Sequence, residues 1–198
     1  MASRKEVMAT AGILGIGFLL YYLARQQSPQ DSGLSFVANI GAKIGGNKML
    51  LSPEGKAALQ QREGSVQQVY TDAGGRLTVG IGHLLPAIST YKAGDPVTVA
   101  QVETWFLDDI QHAENLVNYF VRVPLTHNQF DALASAAFNL GDHLFKNTDG
   151  TKTHLLIALE AGNYQLAAND LLSFDHVNGQ VNIALANRRG AEAQQFLA

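Results

Sequence analysis

A chain of 198 residues that is 46% apolar suffices for one ordinary packed domain with an appendage, and its lack of cysteine excludes disulfide stapling, thiolate nucleophiles and cysteine-ligated zinc. The net charge of -3 divides into +3 over residues 1–51 (five basic, two acidic) and -6 over the rest (nine basic, fifteen acidic). A mildly acidic body argues against nucleic acid as a partner, since phosphate contacts need clustered Lys and Arg, whereas the basic beginning suits a membrane surface.

Val7 to Ala24 is an uncharged run of 18 residues. As a helix it spans about 27 Å at ~1.5 Å per residue, close to the hydrocarbon thickness of a bilayer. Arg4 and Lys5 precede it, and Tyr21 and Tyr22 stand where the far interface would lie. Residues 1–25 are therefore expected to form a single transmembrane helix, an uncleaved signal-anchor that meets membrane lipid through residues 7–24. A cleaved signal peptide is the main competitor, but Tyr22-Leu-Ala24 fits a small-x-small cleavage site poorly. An amphipathic surface helix would need a polar face that this run lacks. The basic flank predicts the N-terminus inside and the body outside. Thr10, Gly12, Gly15 and Gly17 leave two readings open: close packing against another helix, or a marginal anchor that can leave the bilayer.

Residues 26–51, with Ser28-Pro-Gln-Asp-Ser-Gly33 and Gly41-Ala-Lys-Ile-Gly-Gly-Asn47, read as a flexible linker holding at most a short weak helix at 34–44. Ser52-Pro53-Glu54 has the form of a helix start, and the helix is predicted to run to about Arg62. A small hairpin follows over 66–82, turning at Asp72 to Gly75. Thr98-x-x-Gln101 and Thr126-x-x-Gln129 are capping boxes. The first opens a long amphipathic helix through Val102, Phe106, Ile110, Leu116 and Val117. The second opens a buried central helix through Phe130, Leu133, Ala134, Ala137 and Phe138. Shorter helices are expected near 153–161, 163–173 and 187–197. The body, 52–198, is thus predicted to be α+β and mostly helical, with one β-hairpin near its front.

Chemistry concentrates between Arg62 and His83. Alternation along Leu77-Thr-Val-Gly-Ile-Gly82 puts Val79 and Ile81 on one face, and Thr78, Gly80 and Gly82 on the other. The second face is nearly bare backbone with one hydroxyl. Glycine inside a strand marks close approach of a ligand or of another element. Tight packing against a helix is the plain reading for an isolated glycine. Beside two candidate carboxylates, Glu63 and Asp72, a ligand-binding floor becomes the better one. Singly, Glu63 reads as a solvated helix-end glutamate and Asp72 as an Asx-turn residue. Together with Thr78 they form the pair that glycosidic cleavage needs: one protonated carboxyl, and one ionised carboxylate near a water or the sugar.

The segment resembles the active-site signature of the phage-type lysozymes, glycoside hydrolase family 24. Glu63, Asp72, Thr78 and His83 keep the family spacing, with Tyr70 and Gly80-Ile-Gly82 in register. The likeness continues through Leu125 to Leu133, Phe138-Asn-Leu-Gly141 and Asn187-Arg-Arg189 with Glu192, covering residues 52–198. It implies a lysozyme-like two-lobed domain and a muramidase acting on peptidoglycan glycan strands, with no cofactor and no metal. In those terms Glu63 is the general acid, Asp72 orients a water or stabilises the oxocarbenium-like transition state, and Thr78 holds that water. Partial burial is the expected means of keeping Glu63 protonated while Asp72 stays ionised. Leu84, Phe138, Gly80 and Thr153 are the substrate-contact positions, with plain core as the alternative reading of Phe138. His83 is expected to be structural. Two departures stand out: Phe174 replaces a familiar tryptophan, and Lys146 to Thr153 is longer than usual.

A tether raises local concentration at the wall without electrostatic capture. The expectation is therefore a monomeric catalytic body on the outer face of the host cytoplasmic membrane, either released to the periplasm for lysis or carried in a virion for genome entry. A non-catalytic wall-binding membrane protein is the alternative of a different class.

Overall fold

A computed structural model describes residues 48–198 apart from 64, 65, 73, 74, 81 and 178. The expected anchor and the short helix at 34–44 lie outside the described residues. Among the described residues, no helix is long and apolar enough to cross a membrane.

The first helix, α1 (Pro53–Glu63), starts where Ser52 accepts the Gly55 amide on its Oγ (2.9 Å). Residues 49–51, expected as the end of the linker, belong instead to the packing of the body. Leu51 is buried and donates its amide to the buried Glu114 carboxylate (2.9 Å), and Met49 and Asn118 exchange two hydrogen bonds (3.0 and 2.9 Å). The expected hairpin follows as β1 (Val66–Thr71) and β2 (Leu77–Gly80), with a bulge between Val66 and Tyr70. A third strand, β3 (His83–Leu84), was not foreseen; it extends the sheet in the order β1-β2-β3. The outer edge of β1 is covered by the 94–97 loop, through Val69 and Asp95, Gly94 and Val69, and Val97 and Gln67 (2.8–3.2 Å).

Both capping boxes form and open the two long helices, α2 (Val99–Phe120) and α3 (His127–Leu140). α2 is the spine. Its first half meets the sheet, with Val102 against Gly80 and the Trp105 ring stacked on His83 at 5.4 Å. Its second half packs into the helical part, where Phe120 stacks on Phe145. Every residue of α3 from Phe130 to Leu140 is buried, so this helix forms the centre of the core. A 3-10 turn (Gly141–Leu144) leads to α4 (His154–Glu160) and α5 (Tyr164–Leu171), close to the expected spans.

The last helix, α6 (Ile183–Leu197), starts four residues earlier than expected, capped by Asn182. Before it lies a two-stranded hairpin, β4 (His176–Val177) and β5 (Gln180–Val181), which the sequence reading missed. Its signal was present as Asn178-Gly179, a hairpin-turn dipeptide, and Gly179 takes φ +77. The architecture is the expected one: α+β, mostly helical, with a small sheet.

Candidate active site

Glu63 is the last residue of α1 and is 7% exposed. Its neighbour Arg62 reaches the same buried region, donating to Ser135 Oγ (3.0 Å) and Gln195 Oε1 (3.5 Å). Burial was anticipated; a cation beside it was not. Arg188 of α6 places Nη1 on Glu63 Oε1 at 2.5 Å, with side chains 13% and 8% exposed. Burial works against the Arg188 charge, but Glu63 and Glu192 outweigh it and raise this guanidinium above its ordinary value. Arg188 was quoted in the motif Asn187-Arg-Arg189 without a role. The Arg188 and Glu192 spacing, one helical turn apart with opposite charge, was the available hint.

Asp72 sits at the mouth of the β1–β2 turn, where its carbonyl accepts the Gly75 amide (3.0 Å) and its amide reaches Arg76 O (2.8 Å). Its side chain is 3% exposed. Arg76 closes over it: the Arg76 amide reaches Oδ1 at 2.9 Å, and Nη2 and Nε reach Oδ2 at 3.0 and 3.3 Å. Asp72 thus combines closure of the turn, through the Arg76 amide four positions on, with a charge pairing. Thr78 on β2 lies in register between Tyr70 of β1 and Leu84 of β3 and is 1% exposed. Among the described residues its hydroxyl makes one long contact, donating to Arg76 O at 3.4 Å.

Tyr70 ties the two carboxylates together. Burial pushes its phenol up to about 12, and the charges of Asp72 and then Glu63 add to that push. One hydroxyl therefore feels both acids. Since the folded value lies above the ordinary 10, the folded state holds this proton longer than the unfolded chain does. The linked stability is complete below pH ~10 and is lost as pH rises towards ~12. Ultraviolet titration of Tyr70→Phe against wild type should show the missing transition at about pH 12, above those of exposed tyrosines.

Three expected substrate-contact positions carry structural roles of their own. Gly80 does not offer a bare floor. It takes φ +64, and a Cβ there would stand 2.8 Å from Val102 Cγ1, so helix packing claims that face. Gly80→Ala should lower stability by about 2–4 kcal/mol, from left-handed strain plus overpacking, measurable by denaturant unfolding; no change would contradict this packing. Phe138 is 4% exposed, with its ring edge on Phe106 at 5.9 Å, and so belongs to the core. Thr153 caps α4: its hydroxyl donates to Leu144 O (2.9 Å), accepts from Leu156 N (3.3 Å) and is buried. Leu84 remains half-buried beside Thr78. His83 is structural as expected, with Nδ1 3.0 Å from Asp109 and its ring on Trp105.

Behind Glu63 lies a polar cluster that sequence reasoning did not assemble. Arg188 also reaches Glu192 Oε1 through Nε (3.1 Å) and Ser135 O through Nη2 (3.1 Å). Glu192, with no exposed surface, further accepts from Ser135 Oγ (2.7 Å) and from Arg189. Arg189 pairs with it through Nε at 2.8 Å and is itself fully buried. Burial pushes Arg189 down to about 10 against the pull of Glu192, so it remains cationic at neutral pH.

The phage lysozyme family model matches residues 60–192, which span every site residue named above. The endolysin of Salmonella phage P22 is 32% identical over 146 residues, 73% of this chain and 97% of that protein. The SAR-endolysin of Haemophilus phage HP1 is 30% identical over 149 residues, 72% of this chain and 78% of its own. Among solved structures, the endolysin of Escherichia coli O157:H7 phage FAHEc1 superposes with a TM-score of 0.66 at 30% identity, covering 78% of this chain and 96% of that one. With a family model spanning most of the body and a relative 32% identical over 97% of its own length, the chain belongs to the phage lysozyme family and is a glycoside hydrolase.

Proposed function

We propose that this protein is a muramidase that hydrolyses the β-1,4 bond between N-acetylmuramic acid and N-acetylglucosamine in bacterial peptidoglycan, working as a membrane-anchored phage endolysin in host lysis. The observation that carries the reading is the pair of carboxylates in unlike settings that act on one phenol. Glu63 is buried at a helix end against Arg188, Asp72 is held by the hairpin turn and Arg76, and Tyr70 feels both. Glu63 is the general acid to the leaving oxygen. Asp72 orients the attacking water or offsets the developing positive charge, and Thr78, whose hydroxyl is only weakly engaged, holds that water. Leu84 borders the sugar. Two carboxyls flanking a water give inversion at the anomeric carbon.

The uncharged run Val7 to Ala24 and the likeness to the HP1 SAR-endolysin support an anchored form on the outer face of the cytoplasmic membrane that passes to the periplasm. The body acts as a monomer. The test is to digest purified peptidoglycan and follow the products by NMR. New N-acetylmuramic reducing ends, formed first as the α-anomer, are expected; N-acetylglucosamine reducing ends or a β-anomer would overturn the bond or the stereochemistry.

A further inference from the structure

The proposed mechanism asks Glu63 to carry a proton, yet the structure sets a guanidinium directly on its carboxylate. An isolated cation at that distance favours the ionised form. The same guanidinium is also held from behind, because Arg188 Nε reaches Glu192 Oε1 while Nη2 reaches the Ser135 carbonyl. Glu63 and Glu192 thus divide one cation between them. We propose that Glu192 is a positioning residue for the acid step: by holding Arg188 from the side away from Glu63, it keeps the guanidinium in place and partnered when Glu63 takes up its proton, and so sets the upper pH limit of activity. This rests on the muramidase reading for its link to activity, but not for its charge coupling.

The charges make the argument. Around this point α1 contributes Glu63 and Arg62, α6 contributes Arg188, Arg189 and Glu192, and the hairpin contributes Tyr70 and Asp72. Among the described residues, α3 contributes the Ser135 hydroxyl and carbonyl, and Arg62 spends its guanidinium on that hydroxyl and on Gln195. The innermost four groups, two guanidiniums and two carboxylates, balance while both carboxylates are ionised. Protonating Glu63 leaves one positive charge in excess. Without Glu192 it would leave two, inside a site that water barely enters, and protonation would become harder. Arg189 acts in the opposite sense: it adds a cation that Glu192 must also satisfy.

Three variants of the full chain test this: Glu192→Gln, Arg189→Met and the double variant. The readouts are wall-clearing rate against pH and carbon-13 titration of glutamate side-chain carboxyls. With Glu192→Gln, the alkaline limb and the Glu63 transition should move down by about one pH unit, a roughly tenfold loss of proton affinity. With Arg189→Met both should move up, and the charge-balanced double variant should return towards wild type. If Glu192→Gln does not fold, Arg189→Met carries the test alone, since Glu192 keeps Arg188 and Ser135 as partners. Limbs that stay put in folded variants, or move the same way in all three, would overturn the proposal. A wild type that clears no wall at any pH would defeat the muramidase reading instead, and the carbon-13 titration would still decide the charge coupling.

Discussion

Glu63→Gln should reduce wall-clearing activity by about 10²–10⁴-fold, the span that one general acid contributes, while the thermal midpoint stays close to wild type. The amide keeps the shape of the buried carboxyl and can still accept from Arg188 Nη1, and Arg188 retains Glu192. Loss of activity in a folded protein is then loss of a transferable proton and little else. A zymogram over peptidoglycan with both proteins reads the result directly. Equal clearing by the two would remove Glu63 from the acid role. A folded wild type and variant that are equally inert would point to a wall-binding module.

Arg188→Met should be the most damaging change to the fold. It leaves Glu63 without its ion pair and Glu192 to Arg189 and Ser135 alone, in a region where Glu192 has no exposed surface. Removing one partner of a buried pair costs about 3–5 kcal/mol, because the remaining charge keeps its desolvation penalty. For a body of this size that corresponds to a fall of roughly 6–20 °C in thermal midpoint. Lys152→Ala is the control. The Lys152 and Glu160 side chains are 55% and 38% exposed, and an exposed pair contributes at most about 1 kcal/mol. If the two variants melt alike, the cluster behind Glu63 is not what holds α6 to α3 and α1.

What could be read from residues alone was what neighbouring residues decide. The capping boxes at Thr98 and Thr126, the start at Ser52-Pro53 and the turn at Asp72 each depend on partners within a few positions, and each formed. The short strands β3, β4 and β5 were missed, although Asn178-Gly179 announced one hairpin. The two candidate carboxylates stood out by resemblance, but neither of the cations beside them was foreseen. Arg76 is close in sequence and follows from the turn, whereas Arg188 reaches Glu63 from the last helix, and no local pattern encodes that meeting. Gly80 shows the limit of strand alternation. It separates the two faces of a strand but does not say whether a ligand or a helix such as α2 will occupy the bare one. Phe138 and Thr153 show that a residue matched by resemblance also serves the core or a helix cap, which resemblance alone does not reveal.

The hydrogen bonds at Met49 and Leu51 have a mechanical consequence. Any pull arriving along the chain from upstream of Lys48 meets Asn118 and Glu114 in the second half of α2 before it reaches α1. These bonds act as a strain relief, like the clamp on an electrical cord, so that tugging at the front end is absorbed by the spine. The helix whose far end carries Glu63 is spared the load.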